Sequence, residues 1–421
     1  MEILSTGDKI KRARIYEGIT LKELCEDKIS ISKMSCIENG KIKADEETIR
    51  YIAKKLNVEY DYLVQDIEGQ IKENMKLLDK GEIDKKELNR LIDYNLKFAM
   101  EYEHYDLAFK LIHRLFKEYI KNNNFEHMQL IIAYYYEVYQ KNHSKENSFV
   151  YYEDMASFFM KVKEYYEAIN YYNKILNLIA EEQDVNIEKY TYVCFKQGIC
   201  YKKIGNLDDA YAMLDNAIKN IEYIKSNKDK GYIYHEYSNL GILLSKVDAE
   251  KYIEKSYTYL SEYGIALAKA KEKNGRSYYK VGQNEKAKKE ILSGIDCCPK
   301  DDNEKFVEVL MECVETFYNN QEYEIAIRII DEALNLSIYC DNDKLIERAY
   351  YFKGMILQKK GEYIQAETFM NISTDYFLRY ANREETYKRY NEMAELYYNI
   401  GELREAVKYF TLAMNLEKKD N

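Results

Sequence analysis

The sequence predicts an all-α protein: a small N-terminal set of short helices, followed by a right-handed superhelix of paired longer helices. Three observations predict it. First, the 421 residues include 1 Pro and 16 Gly, too few for the turns of a β-sandwich or barrel of this length. Second, from residue 156 onward a small residue is followed 12 positions later by Ala and, 4 later again, by a large apolar residue. Third, the spacing of helix signals changes near residue 65, from short helices with explicit caps to long ones in pairs.

Taken in chain order, helix 1 is expected over about Asp8–Tyr16. Thr20 before Leu21-Lys22-Glu23 is a capping box, in which Thr20 accepts from the Glu23 amide and Glu23 accepts from that of Thr20. Helix 2 is expected over Leu21–Asp27. Ser30 caps a third helix, Ile31–Glu38, that Asn39-Gly40 stops. Asp45 caps a fourth, Glu46–Leu56, and Glu59–Leu63 makes a short fifth. Two short helices joined by a short turn are a helix-turn-helix arrangement. Residues 66–78 read as one amphipathic connecting helix, with Ile67, Ile71, Met75 and Leu78 on one face and Gly81 at its end.

The repeats follow. Their pairs are Ala156/Ala168, Gly198/Ala210, Gly275/Ala287, Val314/Ala326, Gly354/Ala366 and Ala394/Ala406, with Tyr172, Leu214, Ile291, Ile330, Met370 and Phe410 as third members. Leu96/Ala108 and Gly241 belong to weaker copies, and 116–147 is room for another. Gly205, Gly282, Gly361 and Gly401 mark the turns. This is the tetratricopeptide (TPR) pattern, in which small residues let two helices pack closely. The late steps of 39 and 40 residues exceed the ~34-residue period, so longer helices are expected.

The net charge of −10 comes from 63 basic and 73 acidic residues. Residues 1–63 hold 12 of each, so the excess lies in the rest of the chain. Such a balance excludes a protein coated in nucleic acid but not a small DNA-binding part. No apolar run is long enough to span a membrane, and Met1–Ser5 does not open a signal peptide. The eight cysteines form no CxxC and stand in no ligand spacing with the five histidines, so no metal, cofactor or disulfide is expected. No phosphate loop, GxSxG or HExxH motif is present, and the expectation is a non-enzyme.

The segments Gly7-Asp8-Lys9-Ile10-Lys11-Arg12, Leu21-Lys22-Glu23-Leu24, Ser35-Cys36-Ile37-Glu38-Asn39-Gly40 and Ile52-Ala53-Lys54-Lys55-Leu56-Asn57-Val58 resemble the lambda-repressor-type (XRE, Cro/CI) DNA-binding domain. The resemblance implies that the third helix enters the major groove of double-stranded DNA. Ser30, Ile31, Ser32, Lys33 and Cys36 would then face the bases, and Lys41 and Lys43 the phosphates. The bidentate base readers Gln, Arg and Asn are missing from that helix, and Lys28 stands where the turn usually has Gly.

In the repeat pattern, positions two to three before and one after the first small residue line a groove. They include Phe195, Lys196, Asn239, Lys273, Arg276 and Glu312, and Tyr192 and His235 are taken with them on the same first helices. An Asn amide both donates and accepts, so Asn239 is expected to clamp a peptide-backbone unit, with the cations favouring a carboxylate. The whole arrangement, 1–65 DNA-binding, 66–85 linker helix and 86–421 TPR, resembles the RRNPP family of peptide-pheromone receptors, its NprR and PlcR branches in particular. A clostridial RstA-like sporulation regulator has the same build. The resemblance implies a cytoplasmic, homodimeric quorum-sensing transcription regulator that takes up a short signalling peptide. Two alternatives share the architecture: a Rap-like module acting on a phosphorelay response regulator, and a phage arbitrium-type receptor.

Overall fold

The computed structural model describes residues 2–79, 85–182 and 185–417. Gly81, the expected stop of the connecting helix, lies outside them. Among the described residues every regular element is helical, 23 α-helices and one 3-10 turn. They form two compact units, residues 1–185 and 186–421.

The first unit opens with α1 (Thr6–Tyr16), α2 (Leu21–Cys25), α3 (Ile31–Glu38), α4 (Glu46–Lys55) and α5 (Tyr60–Val64). The three expected caps are made: Thr20, Ser30 and Asp45 accept from the amides of Glu23, Lys33 and Thr48, and the Thr20–Glu23 box is reciprocal; Ser5, which was not expected, accepts from the amide of Asp8. α1 starts two residues earlier than expected because Ser5 is the cap. α2 stops at Cys25, since Glu26 takes a positive φ of 43°. That residue, and not Lys28, makes the turn; Lys28 instead rests its ammonium over the Tyr51 ring, 4.8 Å from the centroid. These helices enclose a core of Ile10, Leu24, Met34, Ile37, Ile52, Leu56 and Leu63.

The connecting segment is α6 (Ile67–Asp79). Its stripe of Ile67, Ile71 and Leu78 is buried with Ile92, Leu96 and Ala99 of α7 (Lys85–Glu101) and with α8 (Tyr105–Lys121). The segment is thus packed into the first repeats along its length. α9 (Phe125–Lys141), α10 (Lys145–Lys161) and α11 (Tyr165–Ala180) complete this unit. The region 116–147 holds one whole helix, α9, packed mainly on α8, so it supplies a single added helix and not the further hairpin for which the sequence leaves room.

The second unit contains α12 (Ile187–Lys203) with α13 (Leu207–Lys219), α14 (Asn227–Leu243) with α15 (Ala249–Leu260), and α16 (Gly264–Lys280) with α17 (Asn284–Asp296). The pairs α18 (Asn303–Asn319) with α19 (Tyr323–Tyr339), α20 (Asp343–Lys359) with α21 (Tyr363–Phe377), and α22 (Arg383–Ile400) with α23 (Leu403–Glu417) follow. The first helices of the first five pairs have 17 residues each, which accounts for the long repeat. The three-member pattern has a direct steric cause. A Cβ on Gly198, Gly275 or Gly354 would stand 2.8, 2.3 or 2.6 Å from the side chain of Leu214, Ile291 or Met370, the third member of the same copy. The large residue of the second helix sits where the first helix has no side chain.

Each hairpin from α10–α11 to α22–α23 closes on one left-handed residue: Lys163, Gly205, Ser245, Gly282, Gln321, Gly361 and Gly401. The next residue's amide then donates to the carbonyl five positions back, as Asn206 to Tyr201 O (3.0 Å), Gln283 to Tyr278 O (2.9 Å) and Glu322 to Phe317 O (2.9 Å), the Schellman bond of a helix end. Four of the turns were visible as glycines; three carry a side chain in the same conformation.

Candidate functional site

Two surfaces collect the residues singled out from the sequence. The first is the exposed edge of α3. Ser30, Ile31 and Ser32 are exposed, Lys33 and Cys36 half-exposed, and Met34 and Ile37 are turned into the core. Lys33 is held 3.2 Å from Asp45, while Lys41 and Lys43 stand exposed on the loop that follows. The Asp45 carboxyl is lowered to about 2, chiefly because it accepts from the Thr48 amide and hydroxyl and from Lys33. Glu38 of the Ile-Glu-Asn-Gly stretch is a structural member. It is buried and takes a two-pronged bond from Arg14, 2.6 and 2.9 Å, that ties α1 to α3. Asn39 closes on the Ser35 carbonyl at 2.7 Å, and Gly40 turns the chain at φ 68°.

The second surface is the face of unit two formed by the first helices of the pairs. Here the structure corrects several expectations. Asn239 is 4% exposed, and its amide is already engaged. Its Nδ2 donates to Lys273 O (3.1 Å), Asn274 Oδ1 (2.9 Å) and Ser277 Oγ (2.9 Å), and its Oδ1 accepts from Lys202 at 2.7 Å. It joins α12, α14 and α16, and offers nothing free for a peptide backbone. Phe195 is not on the open face; it packs against the Ala210, Leu214, Tyr237 and Leu240 cluster. Tyr192 spends its hydroxyl on Asp229 at 2.6 Å, bridging α12 to α14. His235 is 1% exposed, and neither ring nitrogen has a partner. Burial, with Lys273 and Lys202 nearby, pushes its pKa down to about 4, so the ring is neutral.

What the face does present is a ladder of opposite charges linking successive first helices. Lys202 (α12) meets Glu236 (α14) at 2.8 Å, and Glu236 meets Lys273 (α16) at 3.7 Å. Lys269 (α16) meets Glu312 (α18) at 3.0 Å, and Glu315 (α18) meets Arg348 (α20) at 3.1 Å. Glu347 (α20) takes a buried bond from Arg389 (α22) at 2.8 Å. Glu272, 1% exposed, gives one oxygen to Arg276 at 2.7 Å and to Thr316, and keeps the other unpartnered. Burial raises its pKa, against the pull of Arg276 and Thr316. Burial also raises Glu236, but Lys202 and Lys273 outweigh it and hold that carboxyl at about 2.

Lys273 and Arg276 remain the accessible cations of this stretch, with side chains 54% and 47% exposed. Lys196 is half-buried on α12. The sequence reading missed Lys202, Glu236 and Lys269. Their signal was there: unlike charges recur one repeat apart, 34 residues from Lys202 to Glu236 and 37 from Glu236 to Lys273.

The tetratricopeptide repeat family model matches residues 347–371 and 387–420, which fall on the last two hairpins. No characterised protein sequence matches the chain. Among solved structures, the apo form of the quorum sensor NprR from B. thuringiensis is 16% identical. The match covers 83% of this chain and 98% of that one, with a TM-score of 0.46. A Rap protein complexed with competence and sporulation factor is 13% identical over 84% and 98% of the two chains, TM-score 0.45. Bacillus thuringiensis PlcR in complex with the peptide PapR7 and DNA is 14% identical over 89% and 94%, TM-score 0.23. Among the described residues no helix is long and apolar enough to cross a membrane.

Proposed function

We propose that the chain is a peptide-responsive transcription regulator that binds operator DNA through α3 and a short peptide along the first-helix face of unit two. The observation that carries the reading is the exposed edge of α3 with Lys41 and Lys43 beside it, joined in one chain to a stack of TPR hairpins. Ile31, Ser32 and Cys36 offer few hydrogen bonds to base edges, so affinity comes mainly from phosphates and from pairing two half-sites in a homodimer. No catalytic step is part of this reading.

The peptide site is drawn differently from the sequence expectation. Lys273 and Arg276, not Asn239, are the groups a ligand carboxylate reaches first. Glu312 lies one repeat further on, on α18, and Lys196 two repeats back, on α12. A carboxylate there competes with Glu236 for Lys273, a bond between successive repeats, and with Glu272 for Arg276, a bond within α16, so ligand binding loosens the α14–α16 link. One observation favours a second reading, a module that docks a response regulator: α3 exposes apolar Ile31 and carries no bidentate base reader.

The test is fluorescence anisotropy with the gene's own upstream duplex over a salt series. Lys41→Glu with Lys43→Glu is expected to abolish binding at moderate salt. The single Lys43→Ala is expected to lower the slope of log K against log salt by about 1, the value of one phosphate contact. Unchanged binding by the double variant refutes the assignment, and its circular dichroism should match the parent.

A further inference from the structure

Helix α1 is fastened at both ends. At its C-terminal end Arg14 holds Glu38 of α3 through two bonds. At its N-terminal end the chain before the cap is bound to the repeat helices. Ile3 is 2% exposed and shares the core of Ile67, Ile71, Ile92 and Leu96. Its amide donates to Tyr94 Oη of α7 at 3.1 Å. Leu4 is gripped on both backbone groups by the buried Gln70 of α6: its N–H donates to Oε1 at 3.1 Å, and its carbonyl accepts from Nε2 at 2.9 Å.

The strap passes directly into the cap and first turn of α1, where space is exhausted. A Cβ on Gly7 would lie 2.4 Å from the Ile37 carbonyl oxygen and 2.7 Å from that of Glu38. The backbone of α1 therefore rests on the end of α3. Lys9, buried in the next turn, donates at 2.7 Å each to the carbonyls of Tyr62 and Gln65, at the junction of α5 with α6. Every route from α6 and α7 to α1 ends on α3, because α1 cannot move without carrying Ile37 and Glu38 with it.

We infer that residues Glu2–Ser5 are a strap through which the first repeat helices, α6 and α7, set the position of α3. A shift of Gln70 or Tyr94 pulls Leu4 or Ile3, turns α1, and re-aims the exposed edge of α3. The strap does not depend on what α3 binds, so it stands apart from the regulator reading.

The test is a pair of spin labels, carried on cysteine-independent amino acids at exposed Ser32 of α3 and exposed Lys117 of α8, in the full chain. The parent is expected to give one narrow distance peak by pulsed electron resonance. Gln70→Ala, which removes the grip on Leu4 and little apolar contact, is expected to broaden it. Adding Ile3→Ala is expected to abolish the single peak, while amide exchange across α8–α11 stays as in the parent. A narrow parental peak retained in both variants overturns the strap. If the double variant loses protection in α8–α11, the outcome is read from Gln70→Ala alone. DNA binding is not part of the readout, so failure here is distinct from failure of the function proposed above.

Discussion

His235 shows how one buried side chain sets a pH limit. Its ring is enclosed with no hydrogen-bond partner and is held neutral, at about 4 against an ordinary 6.5. The unfolded chain takes up a proton below 6.5 and the folded chain does not, so stability is full above that value and falls as the pH drops toward 4. The groups facing it are Glu236, which favours its charging, and Lys202 and Lys273, which oppose it. Between about pH 7 and about pH 5 the parent is expected to lose about 2 kcal/mol through this residue. Urea titrations of the parent and of His235→Leu at both pH values check it. Equal losses in the two proteins would remove His235 as the cause. Asn239 belongs to the same scale. Its type and place were legible, but whether an amide faces solvent or three neighbours depends on helices 30 or more residues away in the chain.

At the scale of the helical hairpin, the pattern in the sequence and the packing agree because both follow from one steric fact. Ala210, Ala287 and Ala366 are fully buried, and the large third member fills the hollow over the glycine of the first helix. Gly275→Ala sets a methyl 2.3 Å from Ile291 Cγ1 and 3.1 Å from the Ala287 carbonyl oxygen. Overpacking of this kind is expected to cost ~1–3 kcal/mol, read as a lower melting temperature. Gly275→Ala combined with Ile291→Ala, which removes Cγ1, should cost less than the sum of the two single changes, and additive costs would place the strain elsewhere. The turns were only half legible. Glycine announced the left-handed residue at Gly205, Gly282, Gly361 and Gly401, whereas Lys163, Ser245 and Gln321 adopt the same φ at a cost that the helix-ending bonds offset.

At the scale of the molecule, α23 carries an exposed apolar seam. Leu403, Val407, Phe410 and Met414 are exposed and recur at steps of 4, 3 and 4 along α23, one face of the last helix. A contiguous exposed apolar face of this kind marks a surface that something covers. A second copy of the chain is the expected cover, in line with the homodimer proposed above. Leu403→Glu with Val407→Glu is expected to convert a dimer to a monomer by light scattering at about micromolar concentration, a stable interface of this class being broken by buried unpaired charge. A parent already monomeric, or a variant still dimeric, contradicts it. The chain by itself determined the all-helical class, the five short N-terminal helices with caps on three of them, and the register of the hairpins. These rest on caps, turns and side-chain sizes only a few residues apart. Only the tertiary structure decided that Asn239 and Phe195 turn inward, that the charges pair from repeat to repeat, and that residues Glu2–Ser5 bind α6 and α7. Those depend on which helices become neighbours: the recurrence of unlike charges one repeat apart is in the sequence, but which of them meet, and which side chains turn inward, is set by contacts between distant segments.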